Sequence, residues 1–241
     1  MTERGMIFNG EMVRALLSGR KTQTRRIIKP QPEVTLSGSL SGKWLSRPLN
    51  GLLLPKIEDI AIHCPFGAVG DRIWVRETWG VVSHAFSDDG LMIDWVPDRP
   101  ATAIHEMPFG NGYYSGYAIY ATDGDFTWGD DDGYEDGRWC WKPSIHMPRA
   151  ASRILLEITD VRVERLNAIS QEDAEAEGID MEALYDSQDC YDCIADHNMT
   201  GRPTVTGAFK YLWESIYGEE GWKSNPWVWV IEFKRFEGGA A

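Results

Sequence analysis

Apolar residues recur at three- and four-residue spacing over Met12, Val13, Leu16 and Leu17, the signature of a helix with one buried face. Asn9 stands where a side chain caps a first turn, and Gly19 where a left-handed residue stops a helix. Residues 21–28 then read as extended, and Lys29-Pro30-Gln31-Pro32 cannot continue a helix. Residues 33–60 are rich in Ser, Gly and Leu with little period, which predicts a loop insertion.

A period of two takes over after the turn Pro65-Phe66-Gly67-Ala68-Val69-Gly70-Asp71. Ile73, Val75 and Glu77 alternate with Trp74, Arg76 and Thr78, which predicts a strand. Glu77 continues an otherwise apolar face, so it either points into a polar pocket or turns to solvent at the strand end. Residues 80–140 read as an insertion with short strands over 91–96 and 113–120. The stretch 123–137 holds seven acids among four Gly, off the calcium-loop spacing, and reads as a solvated acidic loop. Trp141-Lys142-Pro143-Ser144-Ile145-His146-Met147-Pro148-Arg149 is a Pro-bracketed segment whose His146 either borders a site or is an ordinary loop histidine.

Alternation returns over 153–164, a second long strand. Ser170-Gln171-Glu172-Asp173 resembles a capping box with Asp in the Glu/Gln place, opening a short helix that Gly178 stops. A firmer helix covers 206–217, with Phe209, Leu212, Trp213 and Ile216 as its stripe. The last pattern, 227–236, is apolar on both faces for most of its length, so this strand is central to its sheet. Without internal repeats or regular βαβ alternation, the order fits a single α+β, barrel-like domain over 1–241 with inserted loops.

Charge sharpens this picture. The 241-residue chain carries −13, yet residues 12–32 hold six Lys or Arg (Arg14, Arg20, Lys21, Arg25, Arg26, Lys29) and no acid. A positive patch on an acidic body suits one anionic or electron-rich ligand rather than sliding along duplex DNA or lying on an anionic membrane. Eleven Trp is unusually many; any single one reads first as core, and some are expected to line a pocket for a flat ligand. No run is long and apolar enough to span a membrane, and no apolar signal core opens the chain. Four Cys then fit reduced thiols and a cytoplasmic protein. Cys190-Tyr191-Asp192-Cys193 with His197 has zinc-like spacing, but a single Cys-x2-Cys is read as free thiols, with no metal or other cofactor expected.

Three segments in order resemble the ASCH domain family of the PUA-like superfamily. They are Gly19-Arg20-Lys21-Thr22-Gln23-Thr24-Arg25-Arg26, the stretch 169–179 (ISQEDAEAEGI), and Trp229-Val230-Ile231-Glu232-Phe233-Lys234. Gly70-Asp71-Arg72-Ile73-Trp74-Val75-Arg76-Glu77 also looks like the family's strand after a Gly-Asp turn, and the WKPSIHMPR stretch is similar to longer phage and prophage members. The resemblance implies a small β-barrel flanked by helices, with insertions at about 33–64, 80–140 and 185–205. It further implies an amidohydrolase that removes the acyl group from N4-acetylcytidine or a related nucleoside through a Lys/Thr/Glu triad. Matched position by position, the triad falls on Lys21, Thr24 and Glu177, and the closing Arg of the signature on Arg26. Thr22, Arg26, Trp74, Glu77 and Trp79 are the candidates for holding the substrate.

Amide cleavage needs a nucleophile, a base and a stabilised oxyanion. Thr24 supplies a hydroxyl, and Lys21 serves as base only if burial or neighbouring cations depress its pKa. Arg20, Arg25 and Arg26 push that way; Glu177 pushes back. In a regular strand Lys21 and Thr24 face opposite sides, so the chain after Gly19 must turn or bulge. The competing expectation is a non-catalytic PUA-like module that holds a nucleobase or single-stranded nucleic acid on its cations and Trp rings.

Overall fold

The computed structural model describes residues 1–47, 55–87, 89–128, 141–186 and 204–236. The fold is mixed α+β, built from small sheets and short helices. In chain order it begins with β1 (Glu3–Ile7), α1 (Gly10–Leu17), β2 (Gln23–Ile27), β3 (Glu33–Val34) and β4 (Leu40–Ser41). There follow β5 (Arg72–Arg76), β6 (Trp79–Val82), β7 (His84–Phe86), β8 (Met92–Asp94), β9 (Thr102–Phe109) and β10 (Gly112–Tyr120). The chain closes with β11 (Leu155–Arg165), α2 (Gln171–Ala176), α3 (Met181–Asp186), α4 (Val205–Tyr217), α5 (Glu219–Lys223) and β12 (Trp227–Arg235). No closed barrel forms among the described residues. No helix among them is long and apolar enough to cross a membrane.

Two compact units emerge. The first comprises Met1–Thr2, Ala15–Asp71 and Glu157–Arg235. In it β12 lies between β11 and β2, the central place its two apolar faces predict. β12 runs antiparallel to β2, with Ile231 opposite Thr24 and Val230 opposite Arg25. Val228, Val230 and Ile231 are fully buried. The core beneath gathers Leu166, Ala174, Val205, Phe209, Trp213, Val228 and Val230. Thr204 caps α4 through Gly207 N–H at 3.0 Å. The buried stripe of α4 is Val205, Ala208, Phe209 and Trp213, whereas Ile216 is exposed and Leu212 only half-buried. This corrects the stripe read from sequence: Leu212 and Ile216 fit the helical period but lie on its solvent flank.

The expected loop over 33–60 is also more ordered than its composition implies. β3 pairs with β4, and Trp44 and Ile60 are buried on short helices of the tighter 3₁₀ type. Trp44 meets Trp229 edge-on at 6.2 Å and donates its indole N–H to the Pro30 carbonyl. Anchoring by one large ring leaves no period for a sequence reading to find.

The second unit comprises Glu3–Arg14 and Arg72–Leu156. β1 pairs in parallel with β5, Gly5 opposite Trp74. Gly5 is required there, since a Cβ would stand 2.6 Å from the Trp74 ring. The stretch 80–140, read as an insertion, supplies an antiparallel sheet of order β6-β10-β9 with its own core. That core holds Trp79, Ile104, Met107, Ala118, Tyr120, Met147 and Ala151.

Candidate active site

Asn9 accepts the N–H of Met12 at 2.8 Å, capping α1 as its pattern predicts. Gly19, with φ of +78°, then reverses the chain so that the Lys21 N–H donates back to the Ala15 carbonyl. Lys21 therefore precedes β2 instead of lying in it, and the strict alternation that would oppose it to Thr24 does not apply. Thr22 joins two elements through its backbone: its N–H donates to the Ala176 carbonyl, and its carbonyl accepts from Phe233 N–H. The three sequence segments that resemble one family, far apart along the chain, are thus hydrogen-bonded to one another within the first unit.

Ser170 caps α2 by accepting the Asp173 N–H at 3.1 Å. Asp173 does not return the favour as in a full capping box; its carboxylate turns to Arg25 and Arg162, both at 2.8 Å. Glu177 follows the last turn and Gly178 ends it at φ +93°. Carboxylates are disfavoured at this end of a helix by the macrodipole, and cations offset the cost. Lys21 Nζ donates to the Glu177 backbone oxygen and to Oε2, both at 2.7 Å. Arg25 donates to Oε1 of the same carboxylate at 3.3 Å. Glu172 and Glu175 are exposed, because residues two or five positions earlier project away from the face Glu177 uses.

Burial makes these contacts consequential. The side chains of Lys21 and Arg25 are 0 % exposed and that of Glu177 is 3 % exposed. Burial pushes the Lys21 ammonium below its ordinary range, Glu177 opposes, and Arg26 and Arg25 push further down. Gly178 makes the approach possible: a Cβ there would stand 2.8 Å from Ala15 Cβ and 2.9 Å from Lys21 Cβ. A charged ammonium has three N–H groups, a neutral amine two. Among the described residues Lys21 Nζ has two acceptors, both on Glu177. Thr24 is buried and, among the described residues, its hydroxyl makes no hydrogen bond.

A wider ring of charge surrounds the pair. Arg25 also reaches Glu164 at 3.2 Å. Arg162 binds Glu164, Asp173, Glu232 and the Gln23 side-chain oxygen. Opposed desolvation and arginine contacts leave the Asp173 carboxyl below its ordinary value of 3.8. Arg25, Asp173 and Arg162 were not singled out as site residues from sequence. One signal was available for Arg25: a charge on the strand flanking a strand apolar on both faces has little solvent to reach.

The expected substrate-holding residues divide between the two units. Thr22 is exposed and Arg26 half-buried. Trp74, Glu77 and Trp79 belong to the second unit. Trp79 is wholly buried in that unit's core, edge-on to Phe109 at 5.4 Å, and so presents no ring face to a ligand. Trp74 packs on β1 with Arg76 over its ring at 5.0 Å. Glu77 turns inward, not to solvent: Arg153 holds both its oxygens at 3.0 Å and Thr122 donates to Oε2 at 2.6 Å. Arg153 in turn binds Asp123, so this first acid of the acidic stretch is tied down. Residues 129–137 of that stretch, and Cys190, Cys193 and His197, lie outside the described residues. Among the described residues no three His, Cys, Asp or Glu side chains are grouped to hold a metal ion.

Searches against family models, curated proteins and solved structures return no match to this chain.

Proposed function

We propose that the protein is an amidohydrolase of ASCH type, with a PUA-like body in its first unit, that removes the acyl group from N4-acylated cytidine or a related nucleoside. One observation carries this reading: a fully buried Lys21 paired at 2.7 Å with Glu177, with only two acceptors for its nitrogen among the described residues. Neutral Lys21 takes the proton of Thr24 Oγ1 as that oxygen bonds to the acyl carbon. The ammonium so formed, held by Glu177, gives the proton to N4 as the C–N bond breaks and the cytosine amine leaves. Water then adds to the acyl-threonine ester, passing one proton to Lys21. Lys21 returns it to Thr24 Oγ1 as the carboxylic acid departs.

A second reading has its own observation. Lys21, Arg25 and Glu177 engage one another and are almost wholly enclosed, as in a module that uses ion pairs to hold its shape and binds a nucleobase or single-stranded nucleic acid without turnover. Chromatography of acylated cytidines incubated with the protein separates the two. Turnover is expected, with Lys21→Ala lowering the rate by about 10²–10⁴-fold, the range for lost acid–base catalysis. Thr24→Ser keeps part of the activity and Thr24→Ala very little. Turnover by a folded Lys21→Ala variant at the parent rate defeats the amidohydrolase reading. Binding of cytidine without any turnover favours the second.

A further inference from the structure

The two oxygens of the Glu177 carboxylate face different cations: Lys21 at Oε2 and Arg25 at Oε1. The contacts are unequal, 2.7 Å for Lys21 against 3.3 Å for Arg25, so the lysine is the tighter partner. Arg25 does not depend on Glu177 for its own place. It is anchored by Asp173 at 2.8 Å and Glu164 at 3.2 Å, and Asp173 is gripped from its other oxygen by Arg162 at 2.8 Å. Phe209 lies beneath its guanidinium at 5.9 Å.

We propose that Arg25 is a positioning residue, the standing counterion that keeps the Glu177 carboxylate paired whenever Lys21 gives up its proton. A lysine whose buried carboxylate has no other cation is pinned as ammonium, because its deprotonation strands a charge in a low-dielectric place. Arg25 removes that obstacle. A guanidinium stays charged throughout the accessible pH range, and its planar fork serves Glu177 while holding two further carboxylates. On deprotonation Lys21 keeps both donations to Glu177, and Arg25 becomes the carboxylate's only cation of the two. The charged groups that act on Lys21 are Glu177 at the end of α2 and Arg25 and Arg26 on β2; on the α1 side its neighbour is Ala15. Arg26 lowers the Lys21 pKa by repulsion, and Arg25, on the same strand, is bonded to the shared carboxylate.

The inference rests on the amidohydrolase reading only where it speaks of rate. Its direct test is the pH titration of the Lys21 Cε carbon resonance in lysine-labelled protein, assigned by its loss in Lys21→Met. The parent midpoint is expected below the free-lysine value of about 10.4. Arg25→Met should move it upward, and Arg25→Lys, which keeps a charge, should leave it nearer the parent. An unchanged or lower midpoint in folded Arg25→Met overturns the proposal. If Arg25→Met does not fold, Asp173→Asn carries the test: freeing Arg25 of its nearest acid commits it more to Glu177, so the midpoint must fall, and a rise or no change overturns the proposal. The acid limb of kcat/KM for acylated cytidine should track the same midpoints. Titrations that move as stated in a protein without turnover discard the amidohydrolase reading and keep Arg25 in this role. Turnover with a midpoint indifferent to Arg25→Met does the reverse.

Discussion

Gly178→Ala tests whether the close approach of α2 to Lys21 is built into the fold. Two costs act at this position. Its φ of +93° is outside the range of an L-residue, and a left-handed conformation costs about 1–2 kcal/mol. The new Cβ would also lie 2.8 Å from Ala15 Cβ and 2.9 Å from Lys21 Cβ, with Lys21 Cα at 3.4 Å. These are the roots of side chains, which cannot swing away, so α2 must move. Overpacking of this kind costs about 1–3 kcal/mol more. The total, about 2–5 kcal/mol, corresponds to a Tm loss of at least ~4 °C at ~2–4 °C per kcal/mol for a chain of this length. Gly19→Ala is the matched control: its φ is +78° but a Cβ there meets nothing within 4 Å, so only the conformational cost applies. Thermal unfolding followed by Trp fluorescence reads both, and the Lys21 resonance reports whether the pair with Glu177 survives. Equal losses for Gly178→Ala and Gly19→Ala, or a Gly178→Ala loss below about 0.5 kcal/mol, would show that the contact beneath Gly178 is not tight.

Asp173 sets the acid end of the stability profile. Its folded pKa lies below its unfolded value, so its contribution is present above about pH 4 and is lost as pH falls through the folded pKa. Asp173→Asn should therefore flatten the fall in stability below about pH 4, measured by urea unfolding across pH; an unaltered slope would remove Asp173 as a cause. Trp79→Ala should cost the second unit about 3–5 kcal/mol, the range for a large aromatic core truncation. Trp79→Phe should cost less, since the indole N–H is buried without an acceptor among the described residues. Arg153→Met should cost about 3–5 kcal/mol, because Glu77 and Asp123 lose their shared cation while Glu77 stays buried, and thermal denaturation of the variant checks this.

The elements with a clear period were legible in the chain. Asn9 and Gly19 bracket α1, the alternation from Ile73 onward marks β5 while leaving open whether Glu77 beyond it turns inward, and apolar residues on both faces of β12 make it central. The acid that meets Lys21 was named by the family resemblance, and helical spacing only set Glu177 apart from Glu175 and Glu172. Periodicity tells which way a side chain points from its own element, but not what covers it. So the sequence left Trp79 as a ligand-facing ring, although the sheet formed by β6, β9 and β10 encloses it. It likewise showed only short strands within residues 80–140 and not the sheet they form, because sheet pairing is a property of strands that meet only in three dimensions. The ion network is the clearest case. Arg25 meets Asp173 and Glu177 across 148 and 152 residues, and Arg162 meets Glu232 across 70. A cation in an extended run looks solvated in one dimension. Only the packing of α2, β2 and β11 removes the water and turns a basic patch into a buried pair with a counterion in reserve.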